Sequence, residues 1–131
     1  MLKAEQRDME RKVTLEDRLV EHAIVIVGLT QSMPFSQAGK YYSDQLLRSA
    51  GSAALNYGEA QAGESHRDFT HKLKLVKKEM RESFLCLRII KGAALHPDRE
   101  LVEKALGETD QLVAIFTKAV KTAETSSPRK Q

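Results

Sequence analysis

The apolar residues of this chain recur at three- and four-residue steps, which is the spacing of an amphipathic helix. Four such segments follow one another, and short polar or proline-containing stretches separate them. The most regular apolar stripe lies in the third segment and comprises Phe69, Leu73, Val76, Met80, Phe84, Leu87 and Ile90. The alternating β-branched runs that a sandwich or barrel needs do not occur. The pattern therefore predicts an all-α protein.

Residues suited to helix ends mark the first two segments. Thr14 and Asp17 have the spacing of a capping box, with aspartate in place of the usual glutamate or glutamine, and they predict the start of the first helix. Pro34 predicts its end, because proline disfavours the α conformation in the residue before it. We expect the second helix over about residues 41–61, with Gly63 closing it as a C-cap.

The last two segments are marked in the same way. Ser65 with Asp68 repeats the capping pattern and opens the third helix, and a turn over residues 92–97 precedes Asp98, which caps the fourth. Four long amphipathic helices with short links predict an antiparallel, up-and-down four-helix bundle. We expect a charged N-terminal arm over residues 1–13, the bundle over 14–123 and a disordered tail over 124–131.

The amino-acid composition limits the class of protein and the cellular compartment to be expected. A chain of 131 residues is long enough to bury a core without disulfides, and its one cysteine, Cys86, excludes an intramolecular disulfide. The first twenty residues alternate densely in charge, so no signal peptide is expected, and the longest apolar stretch, residues 23–29, is too short to cross a bilayer. We expect a cytoplasmic protein with no membrane partner.

Enzyme motifs are missing from the chain. There is no Glu-x-x-His pair of the kind that builds di-iron sites in bundles, no phosphate-binding loop and no glycine-rich dinucleotide motif. The four histidines are scattered, and Cys86 fits a small apolar residue better than a nucleophile. We therefore predict no catalytic, cofactor or metal site, and a protein that is not an enzyme.

The charged residues of the third helix fall on two sides of its apolar stripe at about 100° per residue. One side, called here the basic strip, carries Arg67, Lys74, Lys77, Lys78, Arg81 and Arg88. The other side, the acidic flank, carries Asp68, Glu79 and Glu82. Apolar surface outside the stripe comes from Leu75, Leu85, Cys86 and Ile89. A helix that served only its own bundle would not need this second apolar patch.

Three interpretations of the basic strip stay open. In the first interpretation, the strip is a solvated face, as runs of charged residues usually are. Alternatively, the acidic flank of one copy meets the basic strip of the next, and this head-to-tail contact closes into a ring. In the third, the strip contacts the phosphates of RNA or DNA, because residues 65–94 hold eight Lys or Arg against three Asp or Glu. A role as an adaptor for one protein partner predicts no additional feature in the amino-acid sequence.

The second helix carries a polar seam beside its apolar stripe, formed by Gln45, Arg48, Ser49, Ser52, Asn56 and Glu59. We expect these residues to satisfy one another and to fix the register of the helix. Arg48 and Glu59 are too far apart to pair within one helix, so each needs a partner elsewhere, for example across a subunit boundary. Gly51 and Gly58 are costly inside a helix and predict a close approach by a neighbouring helix.

One ordered set of residues resembles a known family. It begins with the run Gln45-Leu46-Leu47-Arg48-Ser49-Ala50 and continues through Ser52, Asn56, Glu59, Ser65, Asp68-Phe69, Lys72-Leu73, Lys78-Glu79 and Leu87. This set is similar to the bacterial 23S rRNA intervening-sequence proteins, also called the ribosomal protein S23 family, over about residues 15–123. Tyr57 stands where the family usually has an apolar residue, often isoleucine.

The resemblance implies an up-and-down four-helix bundle that assembles into a ring, typically a homopentamer. It also implies a distant similarity to the accessory bundle protein of diversity-generating retroelements, which binds nucleic acid and a reverse transcriptase. For most members of the family no biochemical activity is established.

Overall fold

The computed structural model describes residues 13–63 and 65–126, and most of them lie in four α-helices. These are α1 (Leu15–Gln31), α2 (Gln37–Gln61), α3 (His66–Gly92) and α4 (Arg99–Thr125). Each helix packs against the next along the chain, and α1 closes the bundle against α4. No strand occurs in the described residues. The predicted all-α, up-and-down four-helix bundle is confirmed.

The helix starts follow the capping residues at three of four positions. The Thr14 hydroxyl accepts from the Asp17 backbone N–H at 3.0 Å, and the Asp17 carboxylate accepts from the Thr14 N–H at 3.2 Å, so the capping box is confirmed. Ser65 accepts from the Asp68 N–H at 3.1 Å. Asp98 accepts from the Leu101 N–H at 3.0 Å, which starts α4.

The predicted start of α2 was four residues too late. The helix begins at Gln37, with Ser36 as its N-cap accepting from the Gly39 N–H at 2.9 Å. The first turn has no apolar stripe, so hydrophobic periodicity does not reveal it. Glycine fits at position 39 because an added Cβ would lie 2.8 Å from the Ser36 hydroxyl and 3.1 Å from the Pro34 carbonyl oxygen.

The other boundary differences are small. α2 ends at Gln61 with Ala62 as its C-cap, and no described glycine adopts a positive φ, so Gly63 does not close α2 in the left-handed way. α4 continues to Thr125, two residues beyond the bundle boundary expected at 123. Residues 1–12 of the predicted arm and residues 127–131 of the predicted tail lie outside the described residues.

The core consists of two apolar clusters along the bundle. One contains Leu19, Ala53, Tyr57, Ala60, Leu73, Val76, Met80, Leu112, Phe116, Val120 and Ala123. The other contains Ile26, Leu29, Leu46, Ala50, Leu87, Ile90, Val102 and Ala105. Most of the predicted α3 stripe is buried, but Phe69 and Phe84 are only partly buried. The Arg88 guanidinium lies 5.9 Å from the centre of the Phe84 ring, so this edge of α3 is partly covered by a cation.

Four buried polar residues, one from each helix, form a polar layer of two hydrogen-bonded pairs within the core. His22 Nε2 and Thr109 Oγ1 lie 2.7 Å apart, which joins α1 to α4. The hydroxyls of Ser49 and Ser83 lie 2.7 Å apart, which joins α2 to α3. All four side chains are buried. Sliding either helix pair by a residue would break these cross-helix bonds and leave Ser49 and Thr109 with only the carbonyls of their own helices, Leu46 and Ala105, so this polar layer favours one register.

His22 predicts a pH-dependent stability. Burial lowers the pKa of His22 to about 4, although Glu108 acts in the opposite direction. In the unfolded chain the pKa is about 6.5, so between these values only the unfolded state binds the proton. The contribution of His22 to the free energy of unfolding is complete above pH 6.5. It falls as pH drops toward 4, by about 1.4 kcal/mol per pH unit and about 3 kcal/mol in all.

Urea unfolding at several pH values between 7 and 4 measures this loss. A His22→Gln variant should lack the His22 component of the slope, because glutamine does not titrate. His71→Gln is the matched control, since His71 is exposed, and it should keep the wild-type slope. Equal slopes in the wild type and His22→Gln would contradict the assignment.

Candidate functional site

The basic strip of α3 lies on an accessible side of the bundle. Lys74, Lys77, Lys78 and Arg81 line a groove between α3 and α4, together with Glu82, Leu85, Val120 and Glu124. Lys74 Nζ lies 3.0 Å from a carboxylate oxygen of Glu124. Arg67 lines a neighbouring groove near the start of α3, and Arg88 lies farther along the helix over Phe84. Lys77 is half-buried, and the other five members are exposed.

Two residues of the acidic flank form ion pairs within the chain. Glu79 is only 5% exposed, and its carboxylate binds Arg48 Nη1 at 3.1 Å. Glu82 binds Arg48 Nη2. The hydrogen bond to Glu82 raises the pKa of Arg48 above its usual value, and Glu79 adds to the effect. Glu79 and Glu82 are therefore engaged within the chain, and contact of the acidic flank with the basic strip of another copy stays a prediction.

Of the acidic flank, Asp68 alone lies outside this network. It is exposed in the first turn of α3, where its backbone N–H donates to Ser65. A carboxylate in a first helical turn has a favourable local interaction with the helix dipole. Asp68 is therefore placed to stabilise the start of α3.

The polar seam lies where α2 meets α3. Asn56 Nδ2 donates to the Ser52 carbonyl at 2.9 Å and to its hydroxyl at 3.0 Å, so these two residues do satisfy each other. Ser49 bonds instead to Ser83 in the polar layer. Glu59 accepts from Lys72 Nζ at 3.1 Å. Arg48 and Glu59 thus find their partners in α3 of their own chain, which removes the need for partners across a subunit boundary. Gln45 is half-buried.

The glycines of α2 do not mark a close approach within the chain. A Cβ added at Gly51 or Gly58 would meet nothing within 4 Å. Gly51 instead lines an open surface groove with Leu47, Arg48 and Leu55. The prediction of a tightly packed neighbouring helix is therefore wrong for this chain's own helices, because both glycines lie on the outer side of α2.

An exposed apolar surface that was not predicted from the sequence lies on the outer side of α1 and α2. On α1, Val20 is 47%, Ile24 57% and Val27 39% exposed, and on α2, Leu47 is 42% and Leu55 73% exposed. These five residues are called the α1–α2 face. The spacing of Val20, Ile24 and Val27 is itself helical, so a second stripe beside the core stripe was the available signal.

The two halves of the α1–α2 face lie on the same side of the molecule. At about 100° per residue, Val27 lies opposite Arg18, which binds Glu108 of α4 at 2.6 Å. Leu47 lies roughly opposite Ser49, which bonds α3. Val27 therefore faces away from α4 and Leu47 faces away from α3, whereas Leu55 lies farther round α2 in the groove beside Arg48. Phe35, 97% exposed between the helices, lines a groove with Leu47 at one end of the face.

The second apolar patch expected on α3 is present on its outer side. Leu85 is 51% and Ile89 41% exposed, whereas Leu75 and Cys86 are half-buried. Burial raises the pKa of the Cys86 thiol, with Glu82 adding to the shift. The low thiolate fraction that follows agrees with an apolar role for this cysteine.

Comparison with known proteins identifies the fold. No protein-family model and no curated protein matches the chain. A crystal structure of a protein of unknown function from the S23 ribosomal protein family of Bacteroides thetaiotaomicron matches with a TM-score of 0.70 and 26% sequence identity. The match covers 82% of this chain and 99% of the other. The resemblance to the S23 ribosomal protein family is confirmed.

Two histidines of this S23-like bundle form hydrogen bonds between its structural elements. His96 Nδ1 accepts from the Asp98 N–H at 3.0 Å, so its Nε2 donates to the Ser32 hydroxyl at 2.8 Å. His66 lies 2.8 Å from the Ala123 carbonyl oxygen. Across residues 13–63 and 65–126, no three His, Cys, Asp or Glu side chains are grouped to hold a metal ion. In the same residues, no helix combines the length and apolarity needed to span a membrane.

Arg48→Met tests the ion-pair network between α2 and α3. The variant leaves the buried Glu79 carboxylate without its cation, so we expect a loss of about 1–3 kcal/mol in the free energy of unfolding. Lys40→Met is the matched control, because it removes an exposed pair between Lys40 and Asp44. That control should change stability by less than about 1 kcal/mol. Urea unfolding measures both, and equal effects would show that the Arg48 network adds nothing specific.

Proposed function

We propose that this chain is a non-enzymatic, cytoplasmic scaffold subunit of the S23 ribosomal protein family that associates with copies of itself into a ring. The observation that carries the proposal is the outward apolar surface of α3, where Leu85 and Ile89 are about half exposed. Contiguous exposed apolar residues rimmed by polar ones favour a protein interface, since burying apolar surface is favourable by about 25 cal/mol per Å². The family resemblance supplies the expected number of five subunits.

The uses of the reactive side chains favour a scaffold over an enzyme. His22, His66 and His96 are held by hydrogen bonds that join structural elements. An acid or base in catalysis must instead reach a substrate proton. These contacts support the proposal that the bundle acts through its surfaces.

Gel filtration coupled to light scattering tests self-association. We expect a mass that is a multiple of the 14.7 kDa chain, with five copies for the ring expected of the family. A monomer across the whole concentration range would refute the proposal.

Charge reversal tests whether the basic strip takes part in assembly. Lys78→Glu combined with Arg81→Glu should lower the oligomer fraction if the strip lies in the interface. Lys104→Glu with Lys118→Glu is the matched control, because both lysines are exposed on α4, turned away from the α3–α4 groove. If the first variant keeps the wild-type oligomer, the strip lies outside the interface and faces solvent or a ligand.

A second candidate function is binding of RNA or DNA through the phosphate backbone. The specific observation is the α3–α4 groove, which brings Lys77, Lys78 and Arg81 together. Within the described residues no salt bridge engages any of these three, so their charges are available to an anionic ligand. Phosphate recognition needs only positioned cations, and it weakens as salt rises because counterions are released.

A binding titration at two salt concentrations, with structured RNA and with duplex DNA, tests this candidate. Lys77→Ala, Lys78→Ala and Arg81→Ala together should weaken binding. The slope of log affinity against log salt should become shallower by about 0.9 for each duplex phosphate that the variant no longer neutralises. Lys104→Ala with Lys118→Ala should keep wild-type binding. Absence of binding at low salt would remove this function while leaving self-association untouched.

A further inference from the structure

The α1–α2 face is apolar, exposed and not covered by any other described part of the chain. Its five aliphatic side chains are between 39% and 73% exposed. Gly51 and Gly58 leave open space above the α2 backbone beside Leu47 and Leu55. Side chains from a partner can therefore reach the α2 backbone there. This shape favours a packed protein partner over simple solvation.

Charge distinguishes this side of the molecule from α3. Within their helical bounds, α1 and α2 together hold five acidic residues against three basic ones, whereas α3 holds eight basic against three acidic. Of the three basic residues, Arg18 binds Glu108 of α4 and is turned away from the α1–α2 face, whereas Arg48 lies beside Leu47 and Leu55, where Glu79 and Glu82 of α3 bind its charge. The rim that remains around the face is net acidic.

The outer side of α3 has the complementary pattern. Leu85 and Ile89 form its apolar centre, and Lys78, Arg81 and Arg88 flank them. This set of five residues is called the α3 outer face. Arg48 already occupies Glu79 and Glu82, so α3 has few acidic groups to offer the basic residues of another copy. The acidic complement for the α3 outer face lies on the opposite half of the molecule.

We propose that the α3 outer face of one copy packs on the α1–α2 face of the next. This inference rests on the proposed self-association and names the two surfaces that meet. Apolar centres of both faces leave water together, while the basic rim of one meets the acidic rim of the other. Because the two faces are different surfaces of one chain, the contact is heterologous and repeats around an axis until the ring closes.

Blocking one face at a time tests this pairing. Ile24→Lys with Leu55→Lys places cations on the α1–α2 face and leaves the α3 outer face intact. Leu85→Glu with Ile89→Glu places anions on the α3 outer face and leaves the α1–α2 face intact. All four positions are exposed, so both variants should keep the circular dichroism and unfolding midpoint of the wild-type bundle. Lys118→Glu, at an exposed position of α4, is the control for altered charge and should assemble like the wild type.

We expect each blocked variant alone to sediment as a monomer. An equimolar mixture should form a dimer with twice the 14.7 kDa mass of the chain, because one productive contact remains and both outer ends are blocked. A wild-type monomer would overturn self-association itself. A wild-type oligomer with either variant still assembled would overturn the face assignment alone. Two monomeric variants that fail to combine on mixing would overturn the head-to-tail pairing.

Discussion

The two buried hydrogen bonds between His22 and Thr109 and between Ser49 and Ser83 set the register on which the rest of the structure depends. Apolar packing holds helices together but tolerates sliding, because one aliphatic side chain substitutes well for another. A buried hydrogen bond between two helices tolerates less sliding, since the separated groups cannot replace the lost bond with water. The polar layer therefore gives the four helices one alignment, and every surface feature inherits its position from it.

That alignment determines which charges of α3 remain available. With Ser49 opposite Ser83, Arg48 lies beside both Glu79 and Glu82, and the acidic flank is neutralised inside the chain. The basic strip has no equivalent set of partners among the described residues, apart from the contact of Lys74 with Glu124. The result is a bundle with one basic side, and a basic side attracts anionic partners, whether nucleic acid or the acidic rim of another protein.

The exposed apolar residues are as unevenly distributed as the charges. They gather on the α1–α2 face and on the outer side of α3. Two different apolar surfaces on one small bundle suit an assembly in which each copy uses both. Nucleic-acid binding and the proposed subunit contact both use Lys78 and Arg81, so the two candidate functions compete for this part of α3.

The sequence by itself determined the four helices, three of their four starts and most of the core stripe. Those features depend on residues three or four positions apart, as with Thr14 and Asp17. The availability of charged residues was decided by the tertiary structure, because Arg48 meets Glu79 and Glu82 across 31 and 34 residues of chain. The α1–α2 face also needed the fold, since a helical wheel marks Val20 and Ile24 as apolar but does not say which side of α1 has a neighbour. Long-range pairing, and not local periodicity, decides which surfaces remain for function.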